Sequence, residues 1–276
     1  TGALGICRRS ARDLLADTSY ERAFAWFEDP VKGARRELLV IKANRMALVH
    51  RRVPLDLFIV PVREAGKVVA LSVHAGVWTS AALAALPTEV PVLRAQVAAL
   101  MKKLGFSSTG HAGKALVHAL TALPHDLLIG FSSKDIERVT TAMMSLVDRP
   151  RPRLALVQAP LARHLFAFVW LPRDVLSTDM RLAVQAMLEN AAGAQVLDWS
   201  LQVEASTLAM LRFVLDVREQ AAQVDEAVLD RQLQAMVRGW AGAVEAELAA
   251  SEEPSRAAAI AARYADAFPL SYRAVS

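Results

Sequence analysis

The sequence predicts an α+β protein of two α+β domains, the second built on a four-stranded antiparallel sheet with helices. Three observations carry that prediction. Within 153–218, four strand-like runs surround one helix: Arg153–Ala159 and His164–Leu171 are apolar runs parted by Pro160, and Val196–Glu204 and Leu208–Val217 alternate with period two. Pro150 and Pro152, set among Arg149, Arg151 and Arg153, make the clearest break in the chain. Finally, 276 residues that are 54% hydrophobic and 22% charged can fill two cores and are not a disordered composition.

Taken in order, Ser10–Glu28 reads as a helix with Leu14, Leu15, Phe24 and Phe27 apolar, stopped by Asp29-Pro30. Glu37–Ile41, Ala47–Arg51, Leu55–Val62 and Lys67–His74 are short strands, with a turn expected at Lys42–Arg45 and a tight one at Ala65-Gly66. Val77–Leu86 fits helix or strand and ends at Pro87. Val90–Leu104 is a helix closed by Gly105, Gly113–Leu123 a second one ending before Pro124, and Ser133–Val147 a third, capped by Ser132 or Ser133.

Beyond the prolines, Thr178–Ala191 places Met180, Val184, Met187, Leu188 and Ala191 on one helical face. In Val196–Glu204, Leu197, Trp199, Leu201 and Val203 fall on one side of the strand, and Asp198, Ser200, Gln202 and Glu204 on the other. Val224–Leu248 reads as one long helix with Leu229, Leu233, Met236, Trp240 and Val244 in line. A charged break at Ser251–Ser255 precedes a short helix carrying Arg263–Phe268. The expected domains are therefore 1–150, α+β with a helical connector, and 151–250, followed by a helical linker over 251–276.

If Arg153–Ala159 hairpins onto His164–Leu171, it fills the place of the last strand of a βαββαβ unit. The result is a permuted ferredoxin-like sheet ordered 153–159, 164–171, 208–217, 196–204. Leu165, Ala167, Val169 and Leu171 on one face of the second strand oppose Phe166, Phe168 and Trp170 on the other. A strand backed by helices on one side only should alternate with polar residues. Phe166, Phe168 and Trp170 are thus expected to form an interface with another domain, another chain or the remainder of the protein.

Several function classes lose their footing. No apolar run approaches the roughly 20 residues that span a bilayer, so no membrane partner is expected. The net charge of +4 is dispersed in separate short clusters rather than one basic stripe, which argues against a nucleic-acid partner. A single cysteine, Cys7, excludes an internal disulfide and fits a reducing cytoplasm. The chain starts at Thr1 without a leader and reads as part of a longer protein.

Catalytic motifs are missing as well. No Gly-x-Gly-x-x-Gly follows a strand, and the Gly110–Lys114 run fails the phosphate-loop spacing, with Ser108 where a glycine is required and Ala115 in place of the magnesium-binding hydroxyl. His111, His118 and His125 recur every seven residues, not at the three or four that zinc pairs prefer. Asp225, Glu226 and Asp230 suit the start of a helix dipole. No catalytic, cofactor or metal residue is therefore assigned. One corner could hold a small anion: Arg173 and Asp174, with Ser177 and Thr178 at a helix start, between a buried strand and that helix. The plainer reading is a capped helix, with Ser177 or Thr178 as cap and Arg173 paired to Asp174.

Collinear segments carry a family resemblance. Val40-Ile-Lys-Ala-Asn44, Val49-His-Arg51, Trp78-Thr-Ser80, Gly110-His-Ala-Gly-Lys-Ala-Leu116, the Pro124–Asp126 turn, Leu171-Pro-Arg-Asp174, Arg263-Tyr-Ala-Asp-Ala-Phe-Pro269 and Tyr272-Arg273 together resemble the amino-terminal half of the large bacterial NAD-specific glutamate dehydrogenases. Arg45-Met-Ala-Leu48 and His111-Ala-Gly-Lys114 depart from the polar runs expected there. The resemblance implies PAS-like and ACT-like regulatory modules upstream of a catalytic domain, and the permuted sheet fits the ACT-like one. It also implies that NAD binds in the parent enzyme and not in this segment. The implied partners are the catalytic domain of the same protein, further copies in a homo-oligomer, and an amino-acid effector. The competing class is a small-molecule sensor, with an amino acid bound at the 171–179 corner.

Overall fold

The computed structural model describes residues 19–29, 37–47, 52–203, 207–217, 224–238, 244–245 and 247–263. Its first sheet is an antiparallel meander, β1 (Leu39–Met46), β2 (Pro54–Glu64) and β3 (Lys67–Gly76), in that order. Helix α1 (Ser19–Glu28) buries Ala23 and Phe27 against Leu39, Ile41, Leu57 and Ile59 on one face. Ala65 and Gly66 both have positive φ, 49° and 86°, the twist that a two-residue hairpin between β2 and β3 requires. The turn expected at Lys42–Arg45 is wrong. Those residues continue β1, because Lys42 lies opposite Asp56 on β2 and pairs with it at 2.7 Å. The separate strand expected at Ala47–Arg51 lies largely outside the described residues.

A helical stretch follows: α2 (Ser80–Ala84), α3 (Pro91–Leu104), α4 (His111–Thr121), α5 (His125–Gly130) and α6 (Ser133–Asp148). Gly105 closes α3 in the left-handed region at φ 69°, with Lys102 and Lys103 in the last turn where they suit the helix dipole. Ser132 caps α6 by accepting the Asp135 N–H at 3.1 Å. The sequence did not suggest α5, whose six residues are too few to show a period.

The second sheet comprises β4 (Arg153–Gln158), β5 (His164–Pro172), β6 (Val196–Val203) and β7 (Leu208–Asp216) in the order β4-β5-β7-β6, all antiparallel. This is the permuted ferredoxin-like, ACT-like order expected. Helices α7 (Thr178–Ala192) and α8 (Glu226–Val237) cover one face, where Ala167, Val169, Leu171, Leu211 and Phe213 meet Val184, Leu188, Leu229 and Leu233. The β4–β5 connection at Pro160–Ala162 holds Leu161 and Ala162 at positive φ, and Leu161 packs against the core of the first sheet.

One expectation needs correction here. The long helix over Val224–Leu248 stops at Val237, with Arg238 extended at ψ 115°; Gly239 and Gly242, costly in a helix interior, follow in the sequence. Trp240 lies outside the described residues, and the last described helix is α9 (Pro254–Arg263). On β6 the burial runs opposite to a core-facing alternation: Leu197, Trp199, Leu201 and Val203 are the exposed row, and Val196, Asp198, Ser200 and Gln202 are half-buried.

Candidate functional site

Strand β5 is the centre of the molecule, and both of its faces are buried over residues 164–171. Phe166, Phe168 and Trp170 enter a core with Leu116, Leu120, Phe131 and Val139 from the helical stretch α4–α6. Phe131 sits 5.5 Å from Phe166 and 6.1 Å from Phe168, ring centre to ring centre, and Trp170 stacks on Phe168 at 6.3 Å. The chain's own helices therefore cover this face, which is closed to a second chain.

Beside the aromatic contact runs a polar clamp. Helix α8 presents Glu226 and Asp230, one turn apart, to the outer edge of β4. Glu226 Oε2 accepts the Leu156 N–H at 2.8 Å, and Asp230 Oδ1 accepts the Leu154 N–H at 2.7 Å. The spacing explains the fit: four residues of helix advance about 6 Å, close to the roughly 6.8 Å between alternate strand residues. Arg138 of α6 donates to Glu226 and to the Leu156 carbonyl, while Arg153 Nη1 donates to Asp230 Oδ2 at 2.8 Å. The α6, β4 and α8 elements are thereby tied through one charged group of residues. None of these roles was legible in the sequence, which offered Glu226 and Asp230 only as dipole partners. The readable signal was an acidic pair at four-residue spacing beside an edge strand without a partner.

Where the three units meet, a shallow recess lies between Val40, Lys42, Asp56, Gly130, Phe131 and Pro160, with room for about one water molecule. A Cβ on Gly130 would lie 2.9 Å from the Val40 carbonyl oxygen, which shows how closely α5 approaches β1.

The proposed ligand corner is laid out as a capped helix. Ser177 Oγ accepts the Met180 N–H at 3.1 Å, and Arg173, Asp174, Ser177 and Thr178 are all exposed. His111 and His118 are exposed, whereas His125 is buried, its Nδ1 donating to the Ala82 carbonyl at 3.1 Å. Among the described residues no cluster of three His, Cys, Asp or Glu could hold a metal ion. The second glycine of the Gly110–Lys114 run is packed against the preceding loop: a Cβ on Gly113 would lie 2.0 Å from the Ser107 carbonyl oxygen. Among the described residues no helix is long and apolar enough to cross a membrane. Cys7 lies outside them.

The geometry is one of positioning and contact, and the comparisons agree with it. Residues 90–149 match the family model described as glutamate dehydrogenase, helical motif 1, and residues 153–241 that described as glutamate dehydrogenase, ACT2 domain. The NAD-specific glutamate dehydrogenase of Halomonas elongata is 30% identical over 210 residues, 75% of this chain and 13% of that protein. That of Pseudomonas aeruginosa is 26% identical over 276 residues, 98% of this chain and 17% of its own length. That of Mycobacterium tuberculosis is 24% identical over 211 residues, 72% of this chain and 13% of that protein. The chain thus spans less than a fifth of the curated relatives it matches. Across its helical stretch and its second sheet, this chain belongs to the glutamate dehydrogenase family, the first as helical motif 1 and the second as the ACT2 domain.

Proposed function

We propose that this chain is a non-catalytic regulatory segment of an NAD-dependent glutamate dehydrogenase. The parent enzyme would convert L-glutamate, NAD and water to 2-oxoglutarate, ammonia and NADH in a catalytic domain elsewhere in the same protein. The observation that carries the reading is the continuous docking of the helical stretch onto the second sheet, over the two regions that match family models of that enzyme. A sheet whose strand β5 is packed on both faces is suited to transmit position from one module to the next, since close-packed cores pass on displacement instead of absorbing it.

The three-stranded sheet with α1 on one face supports the PAS-like reading of the first module. Domain limits at 150 and 250, a cytoplasmic setting, a role in amino-acid catabolism and assembly into a homo-oligomer complete the proposal. An amino-acid effector belongs to it as well, with 171–179 as the corner to probe. Calorimetry with an amino-acid panel tests that part, and silence across the panel removes it. The isolated chain, given glutamate and NAD, should form no NADH; measurable turnover would overturn the central reading.

A further inference from the structure

The turn that joins β4 to β5 has a backbone at odds with its residues. Leu161 and Ala162 stand in the left-handed region, at φ 64° and 52°, in a turn that contains no glycine. That region is costly for any residue bearing a Cβ, and glycine or asparagine fills it in ordinary hairpins. The β2–β3 hairpin follows that rule, with Gly66 at φ 86° beside Ala65. A turn chosen for its backbone alone would not place leucine at 161.

The second sheet fixes both feet of the turn. Ala159 N–H donates to the His164 carbonyl at 2.8 Å, and Val217 N–H, just past β7, donates to the Arg163 carbonyl at 3.1 Å. The tip belongs elsewhere. Leu161 is half-buried against the core of the first sheet, the cluster that holds Ala23 and Phe27 of α1 with Leu39 and Ile41 of β1. From α1, Arg22 Nη1 donates to the Leu161 carbonyl at 3.3 Å. Ala162, by contrast, is exposed, and its N–H donates to the Ala159 carbonyl at 3.2 Å. Strained residues persist only where their surroundings over-determine them. Here the second sheet holds the feet and the first sheet holds the tip.

We propose that residues 160–162 form a strained latch between the two sheets. Engaged, Leu161 plugs the core of the first sheet and keeps 161 and 162 left-handed. Released, the turn relaxes to a right-handed backbone, and the first sheet with α1 loses the part of its core that the second sheet supplies. A shift of the first sheet is thereby felt at the β4–β5 hairpin, and the reverse holds too, because coupling between two sites is reciprocal. The strain narrows the gap between the two states, so the latch opens on a smaller push than a relaxed turn would need. The latch stands on this turn and does not rest on the regulatory reading.

Hydrogen exchange in the intact protein, read by mass spectrometry, tests it with two substitutions that act in opposite directions. Ala162→Gly removes the backbone cost at an exposed position, so exchange over residues 159–163 and over α1 should slow by about threefold. Leu161→Ala keeps the cost and removes the plug, so exchange over the same two segments should rise by about tenfold or more. In both variants β5 and β7, held by their own ladder, should exchange as in the wild type. A Leu161→Ala variant that leaves α1 unchanged overturns the proposal, because the side chain then holds nothing. Exchange raised equally in α1 and in β5 overturns it too, since loss of overall stability would account for both. Unchanged or faster exchange in Ala162→Gly shows that the turn stores no strain, and that also overturns it. Glycine at an exposed turn position leaves folding intact, so that arm decides the matter even where the leucine variant fails to fold.

Discussion

At Gly113 the space around one atom decides what a motif means. Gly110-His-Ala-Gly-Lys114 has the outline of a phosphate cradle, yet the missing side chain at 113 is needed for packing. The first turn of α4 lies against the loop before it, and a methyl group would sit 2.0 Å from the Ser107 carbonyl oxygen and 2.9 Å from its carbon. Backbone cannot yield as a flexible side chain can, so Gly113→Ala should cost about 1–3 kcal/mol or more. Urea denaturation gives the answer, as a lower midpoint with an unchanged slope. A variant as stable as the parent would show that the loop moves freely. The buried Lys42–Asp56 pair is a similar case. Lys42, read alone, belongs in a turn; its strand position becomes evident only when its partner on β2 is known.

Among the elements, the pairing of α8 with β4 has the sharpest consequences. A strand at the edge of a sheet normally exchanges its outward amide hydrogens with water, but Leu154 and Leu156 donate theirs to Asp230 and Glu226. Replacing both acids by alanine should leave those amides without acceptors, at about 1–3 kcal/mol for each buried N–H. Hydrogen exchange should show the two amides protected in the parent and rapidly exchanging in the double variant; equal rates would mean that the carboxylates are incidental. Asp230→Asn keeps an acceptor oxygen and should retain most of the protection.

The second sheet was largely legible in the sequence, because apolar runs bounded by turn residues report strands directly. The end of α8 was not, since the apolar spacing continues in the sequence through Trp240 and Val244 although the backbone turns extended at Arg238. Helix α5 was missed because a single turn and a half carries no period. The aromatic face of β5 could be read, for a strand apolar on both sides must be covered on both. The clamp could not, because Glu226 and Asp230 on α8 lie more than 60 residues along the chain from Arg138 and Arg153, which they meet.

For the molecule as a whole, Phe168 is the test of how its parts hold together. It is fully buried where the helical stretch meets the second sheet. Phe168→Ala should cost about 3–5 kcal/mol, the usual range for emptying such a site. Phe168→Glu should go further and part the two layers. Thermal unfolding should then split into two transitions, with protease cleavage appearing near Pro150. One transition shifted by less than about 1 kcal/mol would mean that the aromatic contact is not what joins the layers.

The strand order also sets a timetable for synthesis. The neighbours of β5 are made at different moments: β4 just before it, and β7 only from Leu208 onward. By the time Pro172 has left the ribosome, the helices α3–α6 and the β4–β5 hairpin all exist, so the aromatic row can settle onto them at once. The other row, Leu165 to Leu171, has no cover until α7 follows, and the free edge of β5 has no partner until Asp216 is made. Unpaired apolar edges of this kind are where growing chains go astray. The nascent protein is therefore most exposed to error between those two points, after its first layer has closed and before its second has arrived.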